Sequence, residues 1–305
     1  MRLRFSLHPA EAPKMSKEIT VVDVESKPRR IAVQRVFRSA RTSVGLGLMI
    51  LVAAVAVFGP FLAPYGATEL VGMPFDVPQY GSPFGMDFLG RDVYSRFLNG
   101  GSSLVWMSLS ASALGLVLGA LIGLSCAFYK GWTDILLMRL VDVKLAFPSV
   151  IFVLLIVTVV GPGKALLVIL VGVSQAPSVS RVIRGAALSV VNLEYVQYCR
   201  AIGLSGPRII ATQILPNVAT PLLVEAGLRL MWSISLLAGL SFLGYGIQPP
   251  AADWGVMINE NRNALSIQPW AVIAPIAAIA VFTIGGNIFA EAVLRSLGRT
   301  DSGKD

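Results

Sequence analysis

The sequence predicts an all-α, polytopic membrane protein with six transmembrane helices. Only 14% of its 305 residues are charged, whereas a soluble domain carries about 25%, and the mean hydropathy is +0.72. Several apolar runs are about 20 residues long, which is the length that crosses a bilayer as a helix. Because these runs are continuous and do not alternate with polar residues, they favour helices over a closed β-barrel.

Six runs are assigned as spans, within one membrane domain that covers residues 44–294. The predicted spans are residues 44–63, 103–129, 146–160, 165–188, 218–245 and 271–294. The third span is short, and residues 136–145, which carry Arg139, Asp142 and Lys144, form an amphipathic approach to it. No internal repeat divides the chain, and residues 1–43 and 295–305 are predicted to be polar tails.

The distribution of basic residues predicts that both termini are cytoplasmic. With the basic first tail inside, the inner segments hold 20 Lys and Arg residues and the outer segments hold four. Such a bias sets the orientation of membrane proteins. The formal charge of +8 therefore reflects topology and does not indicate nucleic-acid binding. Residues 1–43 are expected to precede an uncleaved span, with either Met1 or Met15 as the start.

The histidine and cysteine content argues against an intramembrane enzyme. His8 is the single histidine and lies in the first tail, so the membrane domain can build neither a Ser–His relay nor a histidine metal site. Cys126 and Cys199 are too few for a disulfide framework and are interpreted as small apolar residues. No catalytic residue, metal site or bound cofactor is predicted.

Residues 192–217, NLEYVQYCRAIGLSGPRIIATQILPN, interrupt the apolar chain on the predicted cytoplasmic side. Local rules predict two short helices at an angle, because Gly203 can end the first and Pro207 can begin the second. Asn192 is predicted as the N-cap, and Glu194 suits the positive end of the helix dipole.

The first of these two helices is predicted to be amphipathic. Tyr195, Val196, Cys199 and Ile202 fall on one face at helical spacing. A helix this short needs a surface on which to bury that face. The residues alone are compatible with two such surfaces, namely the headgroup layer of the membrane and a groove in a partner protein.

The same stretch resembles the EAA loop of ABC-importer permeases. The pattern of that loop is a glutamate, paired alanines, a glycine and a hydrophobic–Leu–Pro ending. The matching residues are Glu194, Ala201, Gly203, Ile214, Leu215, Pro216 and Asn217. Tyr198 and Cys199 stand where the family usually has two alanines.

Five further segments, in the family's order, are similar to the peptide/nickel branch of these permeases. They are PFGMDFLGRDVYSRFLNGG (83–101), MRLVDVKLAFPS (138–149), RVIRGAALS (181–189), GLSFLGYGIQPPAADWG (239–255) and NENR (259–262). The resemblance extends over residues 60–294 and is to the second permease subunit of dipeptide, oligopeptide, glutathione and nickel importers. It implies the type I ABC-importer permease fold.

The resemblance implies a mechanical role for the interrupted stretch. In that family the loop is a coupling helix seated in a cleft of a cytoplasmic ATPase, and closure of the ATPases around ATP moves it. The contact residues implied for this chain are Glu194, Tyr195, Val196, Tyr198, Cys199, Ala201, Gly203, Arg208, Ile214, Leu215 and Pro216. ATP and Mg are expected on the partner subunits, so this chain is not expected to be an enzyme.

The resemblance also implies the partners and the location. The partners are a second homologous permease, two ATP-binding subunits, an extracytoplasmic substrate-binding protein and the lipid bilayer, in the bacterial cytoplasmic (inner) membrane. The binding protein is expected to dock on the outer face, at Asp87, Arg91, Asp92, Arg96, Asp253 and Trp254. From the residues alone, Asp92 and Arg96 can also pair along a short solvated helix, and Trp254 and Trp270 can equally be membrane-interface anchors.

Two features inside the spans have more than one interpretation. Glu225 and Arg229, at i and i+4 in the fifth span, suit an intrahelical pair but could also line the transport pathway. A strip of small residues repeats every four positions in the second span and predicts close packing, either inside the chain or against the partner permease. The strip consists of Ala111, Gly115, Gly119 and Gly123.

The predicted function is that of a permease subunit of an ATP-driven importer of small peptides. Glutathione, nickel chelates, opines and sugars are alternative cargos. A stand-alone secondary carrier is a rival hypothesis, but it would want midplane carboxylates or broken helices in paired halves. A membrane enzyme is a weaker rival, because no plausible catalytic cluster is present in the sequence.

Overall fold

The computed structural model describes residues 40–301, and the regular structure within that range is helical. In chain order the helices are α1 (Ala40–Leu62), α2 (Val93–Tyr129), α3 (Gly131–Ala146), α4 (Ser149–Val160), α5 (Lys164–Val191), α6 (Glu194–Ala201), α7 (Gly206–Ile209), α8 (Ala219–Phe242), α9 (Trp254–Asn261) and α10 (Trp270–Asp301). A π-helical turn (Ile210–Ile214) and a 3₁₀ turn (Leu215–Asn217) follow α7, and a second 3₁₀ turn (Arg262–Ala264) follows α9. The predicted tails at 1–43 and 295–305 lie partly outside the described residues.

Five of the six predicted spans are single long helices, namely α1, α2, α5, α8 and α10. The third span is broken, because α3 and α4 meet at an angle of 83°. Pro148 explains the break: it lacks a backbone N–H, and it disfavours helical geometry at Phe147, which is extended at φ −95° and ψ 125°. The 12 residues of α4 rise only about 18 Å, so the count of six spans holds only if the bent pair is taken as one.

The second span begins ten residues earlier than the prediction at residue 103. Helix α2 has 37 residues and starts at Val93, so the polar helix predicted on the outer side is the first part of the span helix itself. Asp92 is its N-cap, and the carboxylate accepts a hydrogen bond from Ser95 N at 2.7 Å. A helix of this length rises about 55 Å and therefore projects beyond a hydrocarbon core about 30 Å thick.

The strip of small residues in α2 packs against α5 of the same chain. A Cβ added at Gly115 would lie 2.8 Å from Gly172 O, and one added at Gly123 would lie 2.6 Å from Ser180 O. At Gly119 the added Cβ would lie 2.5 Å from Val179 Cβ. The two backbones therefore touch along this line, and the interpretation as internal packing is confirmed.

Two apolar clusters organise the bundle. The larger one fills the space among α2, α4, α5, α8 and α10 and includes Trp254 from α9. The second lies at one end of α2 and α5, where Leu124, Phe128 and Ile183 meet Val196 and Ile214 from the interrupted stretch. The second cluster holds the interrupted stretch in position, because residues from both helices of the stretch pack in it against the ends of α2 and α5.

The α2–α5 contact yields a test of the fold. We expect Gly119→Ala to destabilise the chain by about 1–3 kcal/mol, as overpacking does in a tight interior, because neither Val179 Cβ nor the Ala176 carbonyl, 2.7 Å from the added Cβ, can move aside. The measurement is the melting temperature of the purified protein in detergent. Gly185→Ala in α5 is the matched control, since nothing lies within 4 Å of its added Cβ. Equal melting temperatures for the two variants would contradict the contact.

Candidate functional sites at the two ends of the bundle

The interrupted stretch adopts the predicted bent pair of short helices. Gly203 has φ +81°, and nothing lies within 4 Å of a Cβ added there, so glycine is required by the left-handed backbone alone. Gly203 N donates to Arg200 O at 3.0 Å and Leu204 N donates to Cys199 O at 3.1 Å, which closes the last turn of α6. Pro207 then lies in the first turn of α7, as predicted.

The predicted N-cap of α6 is wrong. Asn192 is instead the C-cap of α5, and Leu193 precedes α6 with no side-chain cap. The Asn192 amide donates to Leu188 O at 3.1 Å, and its carbonyl oxygen accepts from Lys130 Nζ at 3.1 Å. Asparagine suits either helix end, and the contact with Lys130, 62 positions away in the sequence, belongs to the tertiary structure.

The apolar face predicted for α6 is divided between the interior and the surface. Val196 is fully buried and Cys199 is partly buried, both against the chain's own second cluster. From the segment after α7, Ile214 is also fully buried there, while Leu215 and Pro216 are partly buried. Val196 and Ile214 therefore hold the stretch in place and cannot touch a partner directly, which corrects their predicted role as contact residues.

Eight residues of the stretch form an exposed surface, which we call the coupling face. Tyr198 is 66% exposed, Ile202 is 56% exposed and Tyr195 is 41% exposed. The exposed residues Leu193, Glu194, Ala201, Gly203 and Arg208 complete the coupling face. Three large apolar side chains so close together on a short helix make a surface that a partner can cover.

Arg200 clamps α6 to the end of α2, a role that the sequence analysis missed. Its guanidinium lies 4.2 Å from the centroid of the Phe128 ring, and Nη2 donates to Phe128 O at 3.0 Å. The combined cation–π contact and hydrogen bond fix the position of α6 relative to α2. A basic residue in the last turn of a helix was the available signal, but its partner lies 72 positions away.

Ion pairs connect α3 to α5 at this same end of the bundle. Arg184 binds Asp134 through two nitrogens, at 2.7 and 2.6 Å, which is the bidentate geometry that arginine favours. Arg181 pairs with Asp142 in a more exposed position. The broken third span is therefore attached to the helix that leads into the coupling face.

The opposite end of the bundle is built on a buried cluster of four charges. Arg91 Nε contacts Asp87 Oδ2 at 2.7 Å, and Arg96 Nη1 contacts the same oxygen at 3.1 Å. Both guanidinium groups also reach Glu260 Oε2, at 3.0 and 2.9 Å. Burial raises the pKa of the Glu260 carboxyl above its ordinary value, and the neighbouring Arg91 opposes that shift. Two cations alternate with two anions, so the cluster is formally neutral.

The burial of this cluster corrects the prediction of a solvated polar helix. Asp87, Arg91, Asp92 and Arg96 are each at most 3% exposed. Arg96 pairs with Asp87 and Glu260, and not with Asp92, which caps α2. The side chains therefore support this end of the bundle from inside and offer no surface to a docking protein.

Asp253 and Trp254 are also interior groups. Asp253 Oδ1 accepts from Gly255 N at 2.9 Å and from Val256 N at 3.3 Å, which caps α9. Burial raises the pKa of Asp253 from 3.8 to about 6. Trp254 is fully buried, donates from Nε1 to Phe97 O at 2.9 Å and stacks on the Phe97 ring, so it is neither a membrane-interface anchor nor a contact for a partner.

An exposed part of this end is the loop between α1 and α2, in which the sequence analysis named only residues that prove to be buried. The apolar residues Leu70, Met73, Val77 and Tyr80 are each at least 69% exposed on it. The loop is nevertheless held firmly, since Gln268 donates to Asp76 O at 3.1 Å and Phe88 N donates to Asn261 Oδ1 at 3.2 Å. We call these four exposed residues the loop patch. A non-repeating loop has no periodicity from which its exposed residues could be predicted.

Within α8, Glu225 and Arg229 form the predicted intrahelical pair. Arg229 Nε donates to Glu225 Oε2 at 3.0 Å, and the two side chains are 19% and 7% exposed, respectively. Among residues 40–301, no group of three or more His, Cys, Asp or Glu residues is arranged to hold a metal ion.

Comparisons with known proteins give a consistent result. A family described as "Binding-protein-dependent transport system inner membrane component" matches residues 115–299. The chain is 32% identical over 270 residues to a glutathione transport system permease protein of Pectobacterium atrosepticum, with 86% of this chain and 88% of that protein covered. It is 33% identical over 271 residues to a putative peptide transport system permease protein of Brucella suis, with 88% and 91% covered.

A solved structure shares the fold. A chain of the MetNI methionine ABC transporter, in an inward-facing conformation, aligns with a TM-score of 0.50 and 16% sequence identity. The alignment covers 65% of this chain and 96% of that chain. At this identity the comparison concerns the arrangement of helices alone, and it agrees with the type I permease fold expected from the sequence.

The raised pKa of Asp253 predicts a pH dependence of stability. A pKa raised by folding means that the folded chain holds the proton more tightly than the unfolded chain does, so the contribution to stability is full below about pH 4 and is lost as the pH rises through about 6. We expect Asp253→Asn to remove this dependence, which is on the order of 2–3 kcal/mol. Melting temperatures of both proteins between about pH 4.5 and 7.5 would measure it. Parallel profiles would contradict the assignment.

The Glu225–Arg229 pair predicts an order of stabilities. Arg229→Leu should cost about 3 kcal/mol, because it leaves the carboxylate of Glu225 buried without its partner. The double variant Glu225→Gln/Arg229→Leu should recover most of that loss, since neither side chain is then charged. The yield of folded protein and its melting temperature in detergent test this order. An equal loss in the single and double variants would argue against the pairing.

Proposed function

The chain belongs to the binding-protein-dependent transport system inner membrane component family, and from this premise we propose that it lines half of the translocation pathway of an ATP-driven importer of small peptides. A second, similar permease would line the other half. Two ATP-binding subunits would hold ATP and Mg, and a substrate-binding protein would deliver cargo from outside. The proposed location is the bacterial cytoplasmic membrane, with both termini on the cytoplasmic side.

The observation that carries the proposal is the coupling face on its buried support. Tyr195, Tyr198 and Ile202 are exposed in a chain whose own core already holds Val196, so the exposed side chains are free for a partner. The proposed partner is a cleft in one of the ATP-binding subunits, and a short amphipathic helix suits such a groove. We propose Glu194 and Arg208 as polar contacts at the margins of that cleft.

The clamp between α6 and α2 supports transmission of force. A displaced coupling face would pull directly on the end of α2, because Arg200 is bonded to Phe128. It would pull on α5 as well, because Ile214 and Val196 pack against Ile183 and Val191. Tightly packed helices move as rigid bodies between discrete arrangements, so motion of the ATPases would tilt spans and would not be lost in a flexible loop.

For the substrate-binding protein we propose a docking surface around the loop patch. Its four exposed apolar residues are carried on a loop that is fixed by hydrogen bonds to α9 and to the segment just before α10. The six residues first predicted as contacts, Asp87, Arg91, Asp92, Arg96, Asp253 and Trp254, would keep that loop in position. In this arrangement the apolar patch contributes contact area and the buried charges contribute rigidity.

The proposed cargo is a short peptide, and glutathione, itself a tripeptide, is the second candidate. The support is that the similar proteins are named as permeases of peptide and glutathione transport systems. The test is to purify the chain with the proposed second permease, ATP-binding subunits and binding protein, and to reconstitute the assembly in liposomes. ATP-dependent uptake of labelled trialanine and glutathione then tests both the mechanism and the cargo. Uptake that persists without ATP would favour a secondary carrier instead.

Two tyrosines give a matched test of the two proposed surfaces. Tyr198→Ala should weaken co-purification of the ATP-binding subunits by about tenfold or more, as loss of an exposed aromatic anchor does. Tyr80→Ala, which makes the same change at the other end of the bundle, should leave that association unchanged and weaken binding-protein stimulation of ATP hydrolysis. Both residues are exposed, so neither variant should alter the melting temperature. Loss of the ATP-binding subunits from Tyr80→Ala, or their full retention by Tyr198→Ala, would contradict the assignment.

A further inference from the structure

A groove of about 300 Å³ opens between α8 and α10 at a depth that a membrane would cover. Four of its lining residues are polar, namely Arg229, Ser235, Thr283 and Asn287, and they lie beside apolar residues such as Trp232. Arg229 lies about 15 Å along α8 from the start of that helix, and Thr283 lies about 20 Å along α10. A hydrocarbon core is about 30 Å thick, so these polar groups are placed where they are costly unless they face water or protein.

Glu225 orients the guanidinium of Arg229 but accepts only one of its hydrogen-bond donors. Nε donates to Glu225 Oε2 at 3.0 Å. Within the described part of the chain, no other hydrogen bond or ion pair engages the two terminal nitrogens. A pair of parallel N–H donors on a guanidinium is the arrangement that binds a carboxylate in bidentate fashion.

The other polar groups of the groove complement the guanidinium. The hydroxyl of Ser235 donates to Met231 O at 3.0 Å, and that of Thr283 donates to Ile279 O at 2.9 Å. Because both hydroxyl protons are engaged by backbone carbonyls, the oxygens present acceptor lone pairs to the groove. The groove thus offers the guanidinium of Arg229 to a carboxylate and two hydroxyl oxygens as acceptors for N–H groups. The C-terminal end of a peptide carries both a carboxylate and N–H groups.

We propose that Arg229 is a cargo-binding residue, and that its terminal nitrogens bind the carboxylate of a short peptide as it crosses the membrane. The inference rests on the proposed function. Glu225 has two roles in this site: it holds the guanidinium in one orientation, and it makes the empty groove formally neutral. A neutral site attracts a carboxylate less strongly than an isolated cation does, so the cargo can leave again, as transport requires.

The test measures whether peptides protect the groove from a thiol reagent. Thr283→Cys is introduced into a chain whose own thiols are removed by Cys126→Ala and Cys199→Ala, and the assembled importer is reconstituted in liposomes. The rate of maleimide labelling is then measured with increasing trialanine or trialanine amide. Trialanine should halve the rate at a concentration about tenfold lower than its amide does, since only the free carboxylate can form the charged hydrogen bonds.

Two matched variants make the result specific. In the background Glu225→Gln/Arg229→Met, which leaves no unpaired charge in α8, the difference between the two peptides should disappear. Leu223→Cys, which replaces an exposed residue of the same helix outside the groove, should be labelled at the same rate with either peptide. Equal protection by the two peptides, absence of protection, or a difference that persists in the double variant would overturn the proposal. Absence of protection is also the result expected if a carboxylate of the second permease occupies Arg229.

The same liposomes separate this inference from the proposed function. Selective protection by trialanine without any ATP-driven uptake would refute the peptide-import function and retain the carboxylate site. ATP-driven uptake of trialanine without selective protection would retain the importer and refute the role of Arg229.

Discussion

Along the contact between α2 and α5, glycines let two helix backbones approach until there is no room for a side chain between them. Carbonyl oxygens and Cβ atoms of α5 lie within 3 Å of the positions that Cβ atoms on Gly115, Gly119 and Gly123 would occupy. Inside a bilayer the hydrophobic effect does not drive helices together, so close packing of this kind is a main source of attraction. Both ends of the bundle depend on this contact, because α2 carries the buried charge cluster at its start and the clamp for α6 at its end.

The two ends of the bundle use charge in opposite ways. At the end where α2 begins, Asp87, Arg91, Arg96 and Glu260 are removed from water and neutralise one another over distances of 2.7–3.1 Å. Such a cluster adds little net stability because desolvation offsets attraction, but it tolerates only one geometry. At the coupling end, the pair of Arg181 with Asp142 is half exposed, and exposed pairs are weak and replaceable. The end with the buried charge cluster is therefore held in one geometry, whereas the exposed Arg181–Asp142 pair contributes little to holding the opposite end together.

The interrupted stretch is held firmly by buried side chains and also presents the exposed coupling face. Val196 and Ile214 are fully buried while Tyr198 and Ile202, only a few positions away, are mostly exposed. An amphipathic helix on an ordinary soluble protein buries one face and presents polar residues on the other. Here the exposed face carries Tyr195, Tyr198 and Ile202 among its polar residues, and these large side chains are the physical reason to expect a partner. The groove at Arg229 follows similar logic, since a charge at membrane depth is retained only where it has a partner or water.

The sequence by itself determined the class of the protein, the positions of five spans and the bend at Gly203, because these depend on run length, local charge and backbone conformation. It also placed Glu225 and Arg229 together, since residues four positions apart meet on any helix. Only the tertiary structure decided that Arg91 and Arg96 turn inward, because their shared partner Glu260 lies more than 160 positions away. The same holds for the clamp of Arg200 on Phe128 and the exposure of the loop patch. Helical spacing predicts which residues share a face, but whether that face meets the chain itself, lipid or another protein depends on packing between segments that are distant in sequence.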